Sequence, residues 1–466
     1  MQISKREFIV GGSAVLVGAA LQAETTANAQ RVKKPPLKSD IGQLDRVLVH
    51  SIRETDGLTS RISRDLIPNV DYDPVAAAAQ QASLMRLLTE SGAELVEVHD
   101  ALETARDATL RNGIWEAWLD AVFPRLGADP NKVSIDQILG RDQDWLYRLD
   151  QNGDYAHWVD QTGSTMWTRD SAFMTPAGLV MGNSSSPRRG RENTLLRFAY
   201  RYSPLLENIP IAVDAVEKGF VVEGGDAIVV DEQTLFLGVG NRTTPIAAQI
   251  LARELNMDVY AVQIGDDAFL REIAAGEPQD YNALRVLFLH LDTSFTLVGP
   301  KHALALPYVF EKDHAEDNPL SRYLRGAVRQ SLVSESAAEK GLEMLKGLGS
   351  LTKFAAGSGQ EEEMEGTKLI DFCRAEGYKI TYTGGALPES AEAAFAHFMR
   401  VTYPEQRRQA SNVVQATPGR VIAYGGNPAT IAALEADGIA VDTFEGRELW
   451  NWHGGPHCLT QPLARS

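Results

Sequence analysis

Thr234-Leu235-Phe236-Leu237-Gly238-Val239-Gly240-Asn241-Arg242-Thr243-Thr244-Pro245 reads as an apolar strand that breaks at a Gly-Asn turn. The chain then restarts as a helix over Ile246 to Leu255. The phrase occurs again in Arg420-Val421-Ile422-Ala423-Tyr424-Gly425-Gly426-Asn427-Pro428-Ala429-Thr430, and in shorter form in Gly178-Leu179-Val180-Met181-Gly182-Asn183. Each copy is expected to end in a helix N-terminus capped by Thr or Asn. One strand-turn-helix unit used repeatedly predicts pseudo-symmetric α/β modules around a common centre rather than an open sheet. The plainer alternative is chance similarity among strand-to-helix turns.

Strands and helices alternate outward from these copies. Val47 to His50 and Glu94 to Val98 are strands, and the Ala-rich run from Pro74 to Glu90 is a helix. Residues 101–159 read as a helical insertion without strands, with Trp115, Trp118, Phe123, Trp145 and Trp158 at helical spacing as core residues. Residues 312–366 read as a second helical excursion that ends in a solvated loop carrying Glu361-Glu362-Glu363. A catalytic domain is assigned to 41–466.

Residues 1–29 read as an export signal. Lys5-Arg6 precedes an apolar stretch from Phe8 to Leu21, and Ala27-Asn28-Ala29 offers small residues for cleavage. Ser4-Lys5-Arg6-Glu7-Phe8-Ile9 resembles a twin-arginine signal with Lys in place of the first Arg. The expected location is periplasmic or extracytoplasmic, with residues 30–40 as a flexible linker that includes Lys33-Lys34-Pro35-Pro36. The balance of 44% hydrophobic and 23% charged residues is that of a soluble globular protein. A net charge of −17 argues against nucleic acid and anionic membranes as partners, and is compatible with a cationic small molecule.

The candidate chemistry gathers at strand ends. Met166-Trp167-Thr168-Arg169-Asp170, Phe220-Val221-Val222-Glu223-Gly224-Gly225-Asp226 and Leu287-Phe288-Leu289-His290-Leu291-Asp292-Thr293 each place acidic or imidazole groups beside apolar runs. If the last is a strand, His290 and Asp292 point to one face and need partners there. Gly454-Gly455-Pro456-His457-Cys458 brings a thiol through a stretch with few side chains. With Cys373 the only other cysteine, Cys458 is not part of a disulfide framework. It reads as a nucleophile, against the bland alternative of a small buried hydrophobe. Cys373 itself reads as core, and both thiols are expected to be free.

Taken together, Trp-Thr-Arg-Asp170, Glu223-Gly224-Gly225-Asp226, His290-Leu291-Asp292-Thr293 and Gly454 to Cys458 resemble the signatures of arginine deiminases. The opening Ile41-Gly42-Gln43-Leu44-Asp45-Arg46-Val47-Leu48-Val49-His50 is similar to that family's first strand. The resemblance runs the length of the chain after the signal. It implies a pseudo-fivefold α/β propeller of ββαβ modules, with a helical insertion after the first module. It implies hydrolysis of a guanidino substrate, L-arginine foremost, to citrulline and ammonia. Cys458 is then the nucleophile, His290 the general acid and base, and Glu223 the support of His290. Asp170 and Asp292 would grip the guanidinium, because a buried cation needs carboxylates in place of water. Asp226 braces the Gly-Gly turn or touches substrate. Arg242 and Arg191, the latter chosen from Arg188-Arg189-Gly190-Arg191, would hold the α-carboxylate. His457 is expected to be structural.

Two departures from the family pattern bear on the substrate. Ser164 stands where an asparagine is expected, and Trp450-Asn451-Trp452-His453 replaces a segment that usually contains arginine. Such a rim is more apolar and able to stack on a flat cation. An agmatine-like or substituted guanidine, an amidinotransferase reaction and a non-catalytic guanidine-binding role are the alternatives. His453 and His457 have metal-ligand spacing, but Gly454, Gly455 and Pro456 would break the helix that such a pair needs. No metal or cofactor is therefore expected, and a homo-oligomer is compatible with the sequence.

Overall fold

The structure is a computed structural model, which describes residues 37–53, 73–123, 129–139, 147–149, 155–157, 165–185, 189–240, 242–265, 289–312, 318–331, 334–451 and 454–466. Residues 1–36, which include the segment expected to be an export signal, and Ser164, Trp452, His453, Trp145 and Trp158 lie outside the described residues.

The fold is mixed α/β and reuses one strand pattern. Strand β1 (Leu44–Val49) is followed by the helix Pro74–Glu90 and by β2 (Glu94–Glu97), which pairs parallel to it. That helix matches the expected span, with Asp73 accepting from the Val75 and Ala76 amides and Pro74 opening the first turn. A hairpin of β3 (Tyr147–Leu149) and β4 (Tyr155–His157) comes next. Strands β5 (Ala172–Thr175) and β6 (Gly178–Met181) are antiparallel, and β7 (Ile211–Asp214) pairs parallel to β6. The quoted segment is β9 (Thr234–Val239), antiparallel to β8 (Ala227–Val229) and parallel to β10 (Asp258–Gln263) across the helix Pro245–Leu255.

Further along, β11 (Phe295–Gly299) and β12 (His302–Ala305) form the next antiparallel pair. Strands β13 (Ser350–Phe354) and β14 (Glu361–Lys368) extend the sheet of β10, and β15 (Lys379–Tyr382) pairs parallel to β12. Strands β16 (Val414–Thr417), β17 (Arg420–Tyr424) and β18 (Ala440–Phe444) repeat the antiparallel-then-parallel order. Finally β19 (Gln461–Arg465) returns antiparallel to β1 and completes the same pattern there. Neighbouring units touch through β19 and β5, through β11 and β16, and through β1 and β16.

Several expectations need correction. Residues 101–159 hold the helices Val98–Leu110, Ile114–Val122 and Ile135–Ile138, but the β3–β4 hairpin interrupts them. Trp115 is fully buried, stacks on Trp118 at 5.2 Å and meets Phe198 at 5.5 Å, so these tryptophans are core as expected. The acidic run is no loop. Glu361–Lys368 is an edge strand, and Lys353 bridges its Glu362 to Asp258. A strand with both faces toward water shows no apolar alternation to read, and its charges guard an open edge. The linker also packs at its end, since Leu37 and Asp40 are buried.

The helix caps differ as well. Thr244 and Asn427 occupy the N-cap positions but make no side-chain cap bond. Asn427 instead donates to the Arg408 carbonyl, and the Glu405 carboxylate takes the Ala429 and Thr430 amides at 2.8 and 2.9 Å. A distant carboxylate thus satisfies the orphan donors that a local side chain was expected to take.

Candidate active site

Three irregular turns converge, each at the end of an apolar element. The short helix Thr168–Ser171 carries Asp170, the 3₁₀ turn Gly224–Asp226 follows Glu223, and the 3₁₀ turn Leu291–Thr293 follows His290. The first turn packs on the second, and the second on the third. Glycines make that approach feasible. A Cβ on Gly225 would lie 2.7 Å from His290 Nδ1 and 2.8 Å from Asp170 Oδ1, and one on Gly224 would lie 2.1 Å from the Arg169 carbonyl. His290 and Asp292 are therefore brought in by a turn, not by the alternation of a strand; Leu287 and Phe288 lie outside the described residues.

His290 is buried between two carboxylates. Its Nε2 meets Glu223 Oε2 at 2.8 Å, and its Nδ1 lies 3.6 Å from Asp170 Oδ1. Burial alone would lower its pKa, but Asp170 and the Glu223 hydrogen bond outweigh it and push the imidazole up to about 9. At neutral pH this ring carries a proton. Glu223 is itself held far below the usual carboxylate range: burial opposes ionisation, and Arg242, His290 and Arg189 overcome it. The Arg242 Nη1 donates to Glu223 Oε1 at 3.3 Å, and Ser184 Oγ donates to the same oxygen.

Cys458 is brought in by the C-terminal segment. Its sulfur lies 3.4 and 3.7 Å from the two oxygens of Asp292. Burial first, then the charges of Asp292 and Asp170, push the thiol well above its ordinary pKa. The resting pair is thus a neutral thiol and a protonated imidazole. His457 Nδ1 bonds Asp292 Oδ2 at 2.8 Å, which fixes that carboxylate from behind the nucleophile. The segment is anchored by Arg169, whose backbone N–H donates to the Cys458 carbonyl at 3.3 Å and whose Nε donates to Thr460 at 3.1 Å. The Arg169 guanidinium also bonds Asp40, whose other oxygen accepts the Val229 amide.

Five of the expected residues lie along these contacts: Cys458 against Asp292, and His290 between Asp170 and Glu223. Arg242 is buried beside Glu223, the residue that supports His290. Asp226 accepts the Leu291 amide at 3.0 Å, tying the turn after His290 to the turn after Glu223. Burial pushes Asp226 up to about 7. Arg191 lies in the first turn of the helix Gly190–Tyr202, and its side chain is outside the described residues.

From the same cluster it is Arg189 that enters. Its Nη1 lies 2.6 Å from Asp170 and 3.5 Å from Glu223, and its Nε lies 3.1 Å from Glu192. The Arg189–Glu192 spacing of i,i+3 was a signal in the sequence that could have found it. Asn412 was missed altogether, because nothing around Ser411-Asn412-Val413 marks a site. Trp450 is half-buried and meets Tyr424 at 5.6 Å, while Trp452 and His453 of the same segment lie outside the described residues.

This arrangement can hold a planar cation. An arginine side chain of the protein already docks on Asp170, which shows that the carboxylate accepts a guanidinium in hydrogen-bond geometry. Asp170, Glu223 and His290 are also close enough to share a metal ion. Arg189 and Arg242 already neutralise the carboxylates there, so an ion would have to displace two buried guanidiniums. Cys373, by contrast, is fully buried in the helix Leu369–Ala375, and burial pushes its thiol up to about 12. Both cysteines are free.

The arginine deiminase family model matches residues 136–335 and 400–465, more than half of the chain. An arginine deiminase from Bacillus cereus is 25% identical, with 92% of this chain and 97% of that one covered. A putative arginine deiminase from Mycoplasma pneumoniae is 24% identical with the same coverage. A looser likeness, at TM-score 0.46 and 13% identity, is to the N-terminal domain of ArgZ, an arginine dihydrolase from cyanobacteria; it covers 90% of this chain and 97% of that one. The family match, together with the thiol, imidazole and carboxylates assembled here, places the chain in the arginine deiminase family, hydrolases acting on amidine C–N bonds.

Proposed function

We propose that the protein hydrolyses L-arginine to citrulline and ammonia through a covalent intermediate on Cys458. The observation that carries the reading is the pairing of a buried thiol against Asp292 with a protonated His290 held between Asp170 and Glu223. The substrate guanidinium would displace Arg189 from Asp170 and lie between Asp170 and Asp292. Its charge then offsets the two carboxylates that hold the thiol protonated. The sulfur bonds to the guanidino carbon, and His290 gives a proton to the departing nitrogen, which leaves as ammonia. The thiol proton replaces the one that His290 gave, so the imidazole is charged again. A thiouronium remains on Cys458. As His290 releases a proton it takes one from water, whose oxygen attacks the same carbon. The carbon–sulfur bond breaks, and the ureido product leaves with the thiol restored. The relatives' names support this substrate, and the buried carboxylates support a cationic one.

In this reading the five strand units stand around a pseudo-fivefold axis as a propeller, with the site at its centre and the helices after β2 as an insertion. Residues 1–29 serve as an export signal, which would put the enzyme in a periplasmic or extracytoplasmic space.

Arg242 sets the substrate. Kinetics of Arg242→Ala should show kcat/KM for L-arginine falling about 10–100-fold, the worth of one charge-assisted hydrogen bond. Agmatine, which lacks the carboxylate, should lose much less. An equal loss for both substrates would mean that Arg242 acts only through Glu223, and would remove it from carboxylate recognition. Faster turnover of agmatine than of L-arginine by the parent protein would instead assign the site to a decarboxylated guanidine.

A further inference from the structure

We propose that Asn412 is the positioning residue for the nucleophile, aiming the Cys458 sulfur and donating a hydrogen bond to it as the thiolate forms. The inference rests on the reading of Cys458 as nucleophile. Asn412 is fully buried and both ends of its amide are engaged. Its Nδ2 lies 3.2 Å from Cys458 Sγ and 3.0 Å from the Asp292 carbonyl, while its Oδ1 accepts the Cys458 backbone amide at 3.1 Å. Its own backbone carbonyl accepts the His457 amide at 3.5 Å. The amide orientation follows from those partners. Turned over, the oxygen would face a sulfur and a carbonyl, and the NH₂ would face an N–H, so both sides would lose their bonds.

The Gly454-Gly455 approach acquires a specific reason here. A Cβ on Gly455 would stand 2.6 Å from Asn412 Oδ1 and 2.6 Å from its carbonyl, so only glycine lets the amide reach the cysteine. On the other side, a Cβ on Gly454 would enter the Trp167 ring. The sulfur is thereby held from two directions, by the backbone bond at its own residue and by the side-chain bond at Sγ.

Burial and the neighbouring carboxylates disfavour the anion, while a backbone hydrogen bond from Gly455 favours it alongside Asn412. Asp292 lies within 3.7 Å and Asp170 adds a second negative charge. Among the described residues, Asn412 is the side chain whose N–H points at Sγ. A neutral donor suits the task. It stabilises the thiolate once the substrate cation covers the carboxylates, and it adds no positive charge that would repel that cation. It also leaves the thiol protonated, and so unreactive, while no substrate is bound.

The test reads the thiol directly. Alkylation of Cys458 by iodoacetamide, followed across pH by peptide mass, reports thiolate formation without needing turnover. Asn412→Ala is expected to raise the pH at which Cys458 alkylates by about one unit or more. It should also lower kcat about 10–100-fold with less change in KM for L-arginine. Asn412→Asp keeps the shape and removes the donor. It should shift alkylation further, and it keeps the question open to test if the alanine variant folds poorly. Loss of kcat with melting temperature lowered and the alkylation profile unmoved in both variants would overturn the proposal, leaving Asn412 a packing residue. Failure of the underlying reading looks different: Cys458→Ala would keep its turnover, whatever Asn412 does.

Discussion

Cys458→Ala is expected to abolish ammonia release from L-arginine, with a loss of about 10⁴-fold or more, because no neighbouring group among the described residues can take over covalent attack. Among the described residues, Asp292 is the nearest polar side chain apart from Asn412, and its oxygens are committed to His457 and to the sulfur. A carboxylate in that position binds a guanidinium and does not attack it. The same variant should still bind arginine, since Asp170, Asp292 and Arg242 are untouched. Calorimetry with L-arginine separates these two effects. Intact mass of the parent protein during turnover of a slow substrate should show a substrate-derived adduct at Cys458 that the variant lacks. Residual activity within tenfold of the parent would remove the covalent route, and His290 would then have to activate water directly. Cys373→Ala is the matching control. Its thiol is buried away from the site in the helix Leu369–Ala375, so activity should stay within about twofold.

The sequence showed most clearly what is local or repeated. The strand-turn-helix phrase predicted β9, β17 and β6 because an apolar run ending in glycine leaves few conformations open, and the helix Pro74–Glu90 carried its own Asp73 cap. The thiol, the imidazole and the carboxylates could be named because each stood in a compact polar cluster. What could not be read is contact between segments far apart in the chain. Asn412 meets Cys458 across 46 residues and Asp40 meets Arg169 across 129, and no spacing rule covers such distances. Arg191 was favoured on its spacing to Thr194-Leu195 and its side chain lies outside the described residues, whereas the contacts of Arg189 with Asp170 and Glu223 cross 19 and 34 residues, beyond any spacing rule. The His290 strand failed for a related reason. His290 is followed by a 3₁₀ turn that packs on the turn Gly224–Asp226, a contact across more than sixty residues that no local pattern encodes, and Leu287 and Phe288 lie outside the described residues.

Glu223→Gln should produce the largest combined effect on activity and stability. Glu223 is wholly buried and is shared by His290 at 2.8 Å, Arg242 at 3.3 Å, Arg189 at 3.5 Å and the Ser184 hydroxyl. Glutamine keeps the volume and removes the charge, so three buried cationic groups lose a common counter-ion. Breaking a buried pair from one side costs about 3–5 kcal/mol. The imidazole is the group that can respond, because the two guanidiniums cannot shed a proton. With Glu223 neutral, burial regains ground against Asp170 and Asp226, and the pKa of His290 falls from about 9 toward its ordinary 6.5.

Two consequences follow, with opposite readouts. At neutral pH the variant's imidazole no longer carries the proton owed to the leaving nitrogen, so kcat should fall about 10²–10⁴-fold. What activity remains should disappear at lower pH than in the parent, where the alkaline limit follows His290 near 9. Stability carries the other signature. A histidine whose folded pKa is raised stabilises the fold fully below 6.5, progressively less above it, and not at all beyond about 9. The depressed carboxylate contributes above its ordinary 4.5 and loses that contribution as pH falls through its folded value. Their shared interaction is therefore complete between 4.5 and 6.5. Urea unfolding at about pH 5.5 should separate parent from variant more widely than at about pH 9.5, where only the pairs with Arg242 and Arg189 remain to be lost. Equal separation at both pH values would mean that Glu223 holds the arginines and not the histidine, and the support assigned to it in catalysis would fail with it.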